Sequence, residues 1–480
     1  MKRAILMLTA LAGLQSTWAQ VSCGMDGFAG NSACLEVDLM SSLTLTQVGG
    51  GNNGNDCWGW VDEASGREFV LYGRANGTAV VEITDPVNPV YVANIPTATV
   101  SSLWRDIKVY GQYAYIVSEA SGHGMQVVDL SQILDVPPGL VATLTPVTTY
   151  SSFGKAHNVI INEESGYAYA VGTNTFSGGL HIVSLANPAA PALAGAYDAA
   201  YAHDAHPIVY NGPDAAYAGH ELVFCFNGYS GMSIVDATDK SDVTFISGLT
   251  YAELGYTHQG WVNDDHTLCF VNDELDEQNF GNNTRTYIVD IADIDAPTIL
   301  GFYESPVPAI DHNHYVVGDR LFQANYLSGL RVLDISDAAN GNLELVGYYD
   351  TNPESDAADF GGAWSVYPYF PSGNVAISTM TGLYIVQPSD VVWGAEEVPG
   401  CMYSFAGNFN PEATVDDGSC VEAGCMDDAA LNFNANAQTD NGSCVYEGGS
   451  SCAEDVNADG LVSIQDLLLL LGAFGNGCEI

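Results

Sequence analysis

Gly77-Thr-Ala-Val-Val-Glu-Ile-Thr-Asp-Pro86 is a glycine, a run of apolar, mostly β-branched residues and an acidic turn. The phrase returns as Gly124-Met-Gln-Val-Val-Asp-Leu130, Gly179-Leu-His-Ile-Val-Ser-Leu-Ala-Asn-Pro188 and Gly231-Met-Ser-Ile-Val-Asp236. Thr286-Tyr-Ile-Val-Asp-Ile291, Gly329-Leu-Arg-Val-Leu-Asp-Ile335 and Gly382-Leu-Tyr-Ile-Val386 bring the copies to seven. Their spacing of roughly fifty residues is near the period of propeller blades. Each copy is too short to bury both of its faces alone, so neighbouring repeats must supply the cover.

The surrounding sequence divides into short strands separated by Gly, Asn, Asp and Pro, the residues that turns require. In the second repeat the strands read as Asp106 to Tyr110, Tyr113 to Ser118, Met125 to Leu130 and Leu140 to Thr145. Four antiparallel strands make one blade. Almost no helical periodicity precedes residue 450. The seventh repeat has only three strands, Trp364 to Tyr369, Val375 to Ser378 and Leu383 to Val386. Ser42-Leu-Thr-Leu-Thr-Gln47 near the N-terminus has the character of the missing outer strand. The sequence therefore predicts an all-β, seven-bladed β-propeller closed by an N-terminal outer strand, which removes exposed sheet edges. Small disulfide-stapled modules and one EF-hand-like loop-helix follow it.

Lys2 and Arg3, the apolar run Ala4 to Leu14 and the small residues Thr17 and Ala19 read as a secretory signal cleaved after Ala19. That run and the cluster Leu467 to Leu471 are shorter than the roughly 20 residues a membrane span needs, so no span is expected. The 58 acidic against 11 basic residues, a net charge of −47, exclude nucleic acid and anionic membranes as partners by repulsion. The eleven cysteines of an exported chain should mostly pair. Spacing suggests Cys23–Cys34, Cys401–Cys420, Cys425–Cys444 and Cys452–Cys478. Cys57, Cys225 and Cys269 are left; Cys225 and Cys269 either pair or stay as buried thiols.

The repeats resemble LVIVD repeats, and residues 23–388 resemble the choice-of-anchor B family of exported bacterial proteins. The resemblance rests on Trp104-Arg-Asp-Ile-Lys-Val-Tyr110, Ala156-His-Asn-Val-Ile-Ile-Asn162 and Thr257-His-Gln-Gly-Trp261. Asp273-Glu-Leu-Asp-Glu277, Ala309-Ile-Asp-His-Asn313 and Gln323-Ala-Asn-Tyr326 carry the rest. It implies an exported, secreted or cell-surface propeller with interchangeable C-terminal modules, and no established catalytic activity.

Polar residues cluster where each first strand begins: Trp58 and Trp60; Arg105 and Asp106; His157 and Asn158; His203, Asp204 and His206; His258 and Gln259; Asp311, His312 and His314; Trp364 and Ser365. Equivalent strand starts ring one mouth of the channel. The loops between second and third strands bring Arg74, Glu119, His123, Asp273, Glu274 and Asn325 to the same face. Three roles are open to this ring. Imidazoles with carboxylates can hold Zn, Cu, Fe or Ni, whose bound water attacks an ester or phosphate. Trp and His can stack on a glycan, peptide or small molecule. Each polar group can instead simply bond the next blade. There is no GxSxG, HExxH or P-loop. His181, His220 and His266 lie in or beside later strands and read as structural. Asp273 to Glu277 reads as a solvated loop, with a local ion pair to Arg285 as the alternative.

Past residue 390 the pattern changes. Residues 398–446 hold two Cys-bounded repeats of identical spacing, similar to short repeats near the C-termini of exported Bacteroidetes proteins, in keeping with a Gram-negative source. Residues 450–480 contain Asp455-Val-Asn-Ala-Asp-Gly-Leu-Val-Ser-Ile-Gln-Asp466, which fits a twelve-residue calcium loop. Asp455, Asn457, Asp459, the Leu461 carbonyl, Ser463 and Asp466 are the expected Ca2+ ligands. The segment looks like half a dockerin, and the missing second loop puts cohesin binding in doubt. The sequence favours an exported binding protein with a calcium-binding tail over its alternative, a metal-dependent extracellular hydrolase.

Overall fold

The structure, a computed structural model, describes residues 20–394, residues 398–445 apart from 402, 404, 405, 411, 412 and 414, and positions 464, 467, 468 and 471. The expected signal segment, the Cys452–Cys478 pair and all six ligands of the tail calcium loop lie outside the described residues. The chain divides into one unit ending at Trp393 and another starting at Gly394.

Seven antiparallel sheets make up the first unit. Blade 1 runs from its inner strand Gly54–Asp62 through Arg67–Arg74 and Gly77–Glu82 to its outer strand Val90–Pro96. The inner strands of the following blades are Arg105–Tyr110, Asn158–Asn162, Asp204–Val209, Thr257–Val262, His314–Val317 and Ala363–Tyr367. The repeated phrase is the third strand of every blade, and its two central apolar residues explain why it repeats. They point to opposite faces of the sheet. Val80 of blade 1 packs with Val128 of blade 2, whereas Val81 packs with Ile385 of blade 7. Val127 meets Val183, Ile182 meets Val235, and Ile234 meets Val289. Ile288 meets Leu333, and Val332 meets Val386. Each seam between blades is thus one core shared by two repeats, and each buried Val, Ile or Leu contributes about 1.5–3 kcal/mol. The phrase's glycine is also explained. A Cβ at Gly231 (φ 84°) would strike the Leu249 carbonyl at the end of the outer strand, and one at Gly329 (φ 75°) the Tyr349 carbonyl.

Ring closure is as the sequence predicts, with the strand placed earlier. Val37–Thr44 pairs antiparallel with Gly382–Pro388 and completes blade 7. Leu39 enters the core between blades 6 and 7, and Met40 the core between blades 7 and 1. Ser32–Leu35 adds to the outer edge of blade 6, held by the Cys23–Cys34 disulfide.

Blade 2 departs from the expected layout. Its fourth strand is Thr148–Tyr150, not Leu140 to Thr145. Ala142–Thr143 instead runs parallel beside the outer strand of blade 1. Leu140 and Val141 are exposed, so the apolar character of that stretch does not mark a core strand. Cys57, Cys225 and Cys269 are buried free thiols. Cys225 and Cys269 belong to different seams, which is why they do not pair.

In the second unit Cys401–Cys420 and Cys425–Cys444 are joined. The two repeats are built alike: Asn410 donates its N–H to the Cys401 carbonyl (2.8 Å) and Asn434 to that of Cys425 (2.9 Å). Among the described residues no helix is long and apolar enough to cross a membrane.

Candidate functional site at the upper channel mouth

The starts of the inner strands ring one mouth of the channel, called upper here. Four imidazoles from consecutive blades form an arc there. Ring centroids are 4.2 Å apart for His157 and His203, 4.3 Å for His203 and His258, and 4.2 Å for His258 and His312. Trp364 of blade 7 continues the arc 5.1 Å from His312. His203 donates from Nδ1 to the His258 carbonyl (3.1 Å), and His312 donates from Nδ1 to the Trp364 carbonyl. The blade-stitching role is therefore present, and it has a chemical consequence. Fixing the proton on Nδ1 leaves Nε2 with its lone pair. Burial, helped by neighbouring imidazoles, holds His203 and His258 well below the usual histidine range, and burial pushes His312 down to about 3. Neutral Nε2 with an anchored Nδ1–H is the form in which histidine binds metals.

Two carboxylates face the arc. His157 Nδ1 lies 2.7 Å from Glu119 Oε1, and Lys155 lies 3.7 Å from the other oxygen. Glu274 Oε1 stands 3.9 Å from His258 Nε2 and 3.7 Å from His312 Nε2, and accepts a hydrogen bond from the Tyr326 hydroxyl (3.0 Å). Burial pushes its carboxyl up to about 7. The three ligand-type atoms all lie within 4.8 Å of one another. Ligands about 2.0–2.1 Å from a tetrahedral ion stand roughly 3.3 Å apart, and the two Glu274–imidazole separations exceed that by about half an ångström. His258 is 1% exposed and its Nδ1 has no hydrogen-bond partner. The recess over these residues, also lined by Trp104, Arg105, Asn158 and Asn313, has room for a water-sized group.

The remaining residues of the expected ring lie elsewhere. Arg105 lines the recess, but its N–H groups face the Arg74 carbonyl, Thr97 and His123. Asp106 lies deeper, accepting from Lys108 (2.6 Å) and from the Val159 N–H of blade 3 (2.7 Å). His206 stacks on Trp261 and accepts from the Val262 N–H. His314 is buried against the Phe270 carbonyl. Asp273 is bound by the N–H groups of Gly255, Tyr256 and Leu275. Asp311 is fully buried with neither oxygen partnered. Asp273 to Glu277 is not a solvated loop: it leads into a short helix, Asp276–Phe280, whose first two side chains are buried. Arg285 pairs instead with Glu253 and Glu304. Trp60 packs on Phe69, and Trp58 faces the opposite, lower mouth. Blade 1 presents Asn55 to the next blade in their stead, donating to the Leu103 carbonyl. His181, His220 and His266 are structural, bonding Tyr150, Asp236 and the Asn211 N–H.

Sequence reasoning missed Tyr326 as the group that holds Glu274, and it missed the lower mouth. There Trp58, Trp261, Tyr367 and Tyr369, with Lys108, Glu163 and Asp264, line about 1030 Å³ of space open to solvent. The signal was the alternation Trp58/Trp60 and Tyr367/Tyr369, which turns every second aromatic ring the same way.

The LVIVD repeat family matches residues 104–133 and 153–199. No curated protein matches the sequence. Among solved structures, the chain is similar to the WD40 propeller domain of Doa1 (11% identity, 76% of this chain and 100% of that one, TM-score 0.48). It is also similar to the periplasmic gluconolactonase of Pseudomonas aeruginosa (12% identity, 63% and 86%, TM-score 0.44) and to a protein of Lactobacillus plantarum (15% identity, 68% and 88%, TM-score 0.45). Likeness at this level carries nothing about activity. The chain is a seven-bladed β-propeller with matches to the LVIVD repeat in residues 104–133 and 153–199.

Proposed function

We propose that the propeller is an exported metalloprotein with a divalent transition-metal site at its upper mouth, held by His258, His312 and Glu274. The observation that carries this reading is the convergence of His258, His312 and Glu274, whose ligand-type atoms all lie within 4.8 Å of one another, on two buried imidazoles held neutral. The donor set, two imidazoles and one carboxylate, suits Zn and its neighbours. Such a metal supplies an activated water or polarises a carbonyl oxygen. His157, oriented by Glu119, lines the same recess one imidazole further along the arc, with Nε2 available to take and return a proton. The narrow recess limits a substrate to one small group at the centre. The chain's excess of acid favours an uncharged ester over a phosphate.

Elemental analysis of the purified protein tests the site. One Zn, Cu, Fe or Mn per chain is expected, lost in His258→Ala and in Glu274→Ala; its retention in both would refute the assignment. Ester hydrolysis should fall at least tenfold in His157→Ala with the metal still bound.

The lower mouth favours a second reading, binding without chemistry. Its aromatic walls are suited to stack on a glycan or small organic ligand. Saturation-transfer NMR with an oligosaccharide panel tests it: signals lost in Trp58→Ala and Trp261→Ala support it, and signals that persist in both refute it. The tail loop Asp455–Asp466 we assign to calcium on its ligand spacing alone.

A further inference from the structure

We propose that the lower mouth takes a compact organic cation, the head group of a quaternary ammonium compound or a protonated amine. The proposal rests on the reading of that mouth as a binding site and narrows its ligand to one chemical class. Trp58 of blade 1, Trp261 of blade 5 and Tyr367 and Tyr369 of blade 7 bring four aromatic rings to one cavity open to solvent. Tyr315 of blade 6 stands behind them, its ring centroid 5.7 Å from that of Trp58 and 5.0 Å from that of Trp261.

The angles between the rings decide what shape fits. Trp58 meets Tyr367 at 69°, Trp261 meets Tyr315 at 71° and Tyr367 meets Tyr369 at 72°. Rings set near right angles make the walls of a box rather than one flat platform for a sugar ring. A box of aromatic faces suits a compact cation, because each ring carries negative charge on its face and can attract from a different side. One of these rings already serves a cation of the chain itself: Lys108 Nζ lies 4.6 Å from the Trp58 centroid.

Charge points the same way. Lys108 is the only basic side chain in the cavity wall, and it is held 2.6 Å from Asp106 with its side chain 8% exposed. Its charge is therefore answered from within the channel. Glu163 and Asp264 line the same cavity from exposed positions, and neither forms an ion pair among the described residues. An anion would meet both carboxylates and the chain's net charge of −47. A neutral ligand would draw nothing from them. A cation gains from the acids at the rim and from the aromatic walls together.

The test uses the full-length chain and two probes of matched shape, choline and its uncharged carbon analogue 3,3-dimethylbutan-1-ol. Calorimetric titration should show one choline bound per chain, with the alcohol weaker by roughly tenfold or more. Added sodium chloride should weaken choline and leave the alcohol unchanged. Trp261→Ala should weaken choline by roughly tenfold, whereas Tyr369→Phe, which keeps the ring, should not. Glu163→Gln combined with Asp264→Asn changes exposed positions only, so it keeps the proposal testable if Trp261→Ala fails to fold. That pair should weaken choline several-fold without affecting the alcohol. Equal affinity for the two probes, or an oligosaccharide that binds where choline does not, would overturn the cation and leave the lower mouth a binding site. Failure of choline, the alcohol and every oligosaccharide to bind would overturn both readings.

Discussion

Replacing Leu39 and Met40 together with alanine strikes the closure of the ring at both of its seams. The side chains leave opposite faces of the closing strand and enter different cores, Leu39 with Val332 and Val386, Met40 with Val81 and Ile385. Both are nearly buried, at 9% and 7% exposed. Each truncation removes buried methylenes and leaves a cavity that the rigid seam fills only in part, a cost of about 2–4 kcal/mol. With no shared partners the two should add to about 4–8 kcal/mol. That is a large share of the 5–15 kcal/mol that holds a typical domain. Urea denaturation followed by tryptophan fluorescence would measure it, with Leu193→Ala, on the half-exposed outer strand of blade 3, as a control expected within about 0.5 kcal/mol. A double substitution costing no more than the control would mean that the N-terminal strand does not close the ring. Deleting residues 36–48 should then be harmless too, instead of destabilising the whole propeller.

Other substitutions probe the interior. Lys108 reaches Asp106 at 2.6 Å and lies 4.6 Å over Trp58, amid the buried Asp56, Asp106 and Asp204. Lys108→Met should cost about 3–5 kcal/mol at neutral pH, and thermal unfolding that is unchanged would show that the channel acids need no counter-charge. Glu274 is raised from 4.5 to about 7, so in metal-free protein its contribution is fully present below pH 4.5 and lost as pH rises through 7. Glu274→Gln should therefore stabilise metal-free protein by about 3 kcal/mol at pH 8 and by nothing at pH 4, and denaturation at the two pH values measures the difference. Burial pushes the Cys57 and Cys225 thiols up to about 12 and raises Cys269 further still. A thiol reagent should label none of the three until the chain unfolds, and a Cys225–Cys269 disulfide in peptide mapping would contradict the structure.

Most of the fold was readable because the repeated Val and Ile pairs allow few other arrangements: two adjacent apolar residues in a strand need cover on both faces. Seven such pairs at one period need a ring. The closing strand followed from a missing fourth strand in blade 7. Blade 2 was misread because Leu140 to Thr145 is apolar enough for a strand yet pairs at a blade's outer rim, where burial does not report on register. At the mouth, the histidines were found because each occupies the same place in its repeat. Their division of labour was not legible. Sequence placed Asp106, Asp273, Asp311 and Glu274 on one rim, and only the depth of each side chain separates a stitch, a backbone cap, an unpartnered acid and the acid that faces the imidazole arc. Trp58 was assigned to the wrong mouth because the inner strand of blade 1 begins at Gly54, four residues earlier than the aromatic pair suggests.

The register of the closing strand has a mechanical meaning. Val37, where that strand begins, lies opposite Pro388, where the last propeller strand ends, and the next rung joins Ser389 to Glu36. The closing strand thus begins, and the last propeller strand ends, at the same rung. Force applied between Glu36 and Ser389 would therefore peel the pair apart one rung at a time, the direction in which paired strands are weakest. Force applied through the tail alone, with the other end slack, would put no load on the seam. A ring built this way tolerates being tethered by one end and opens when pulled by two.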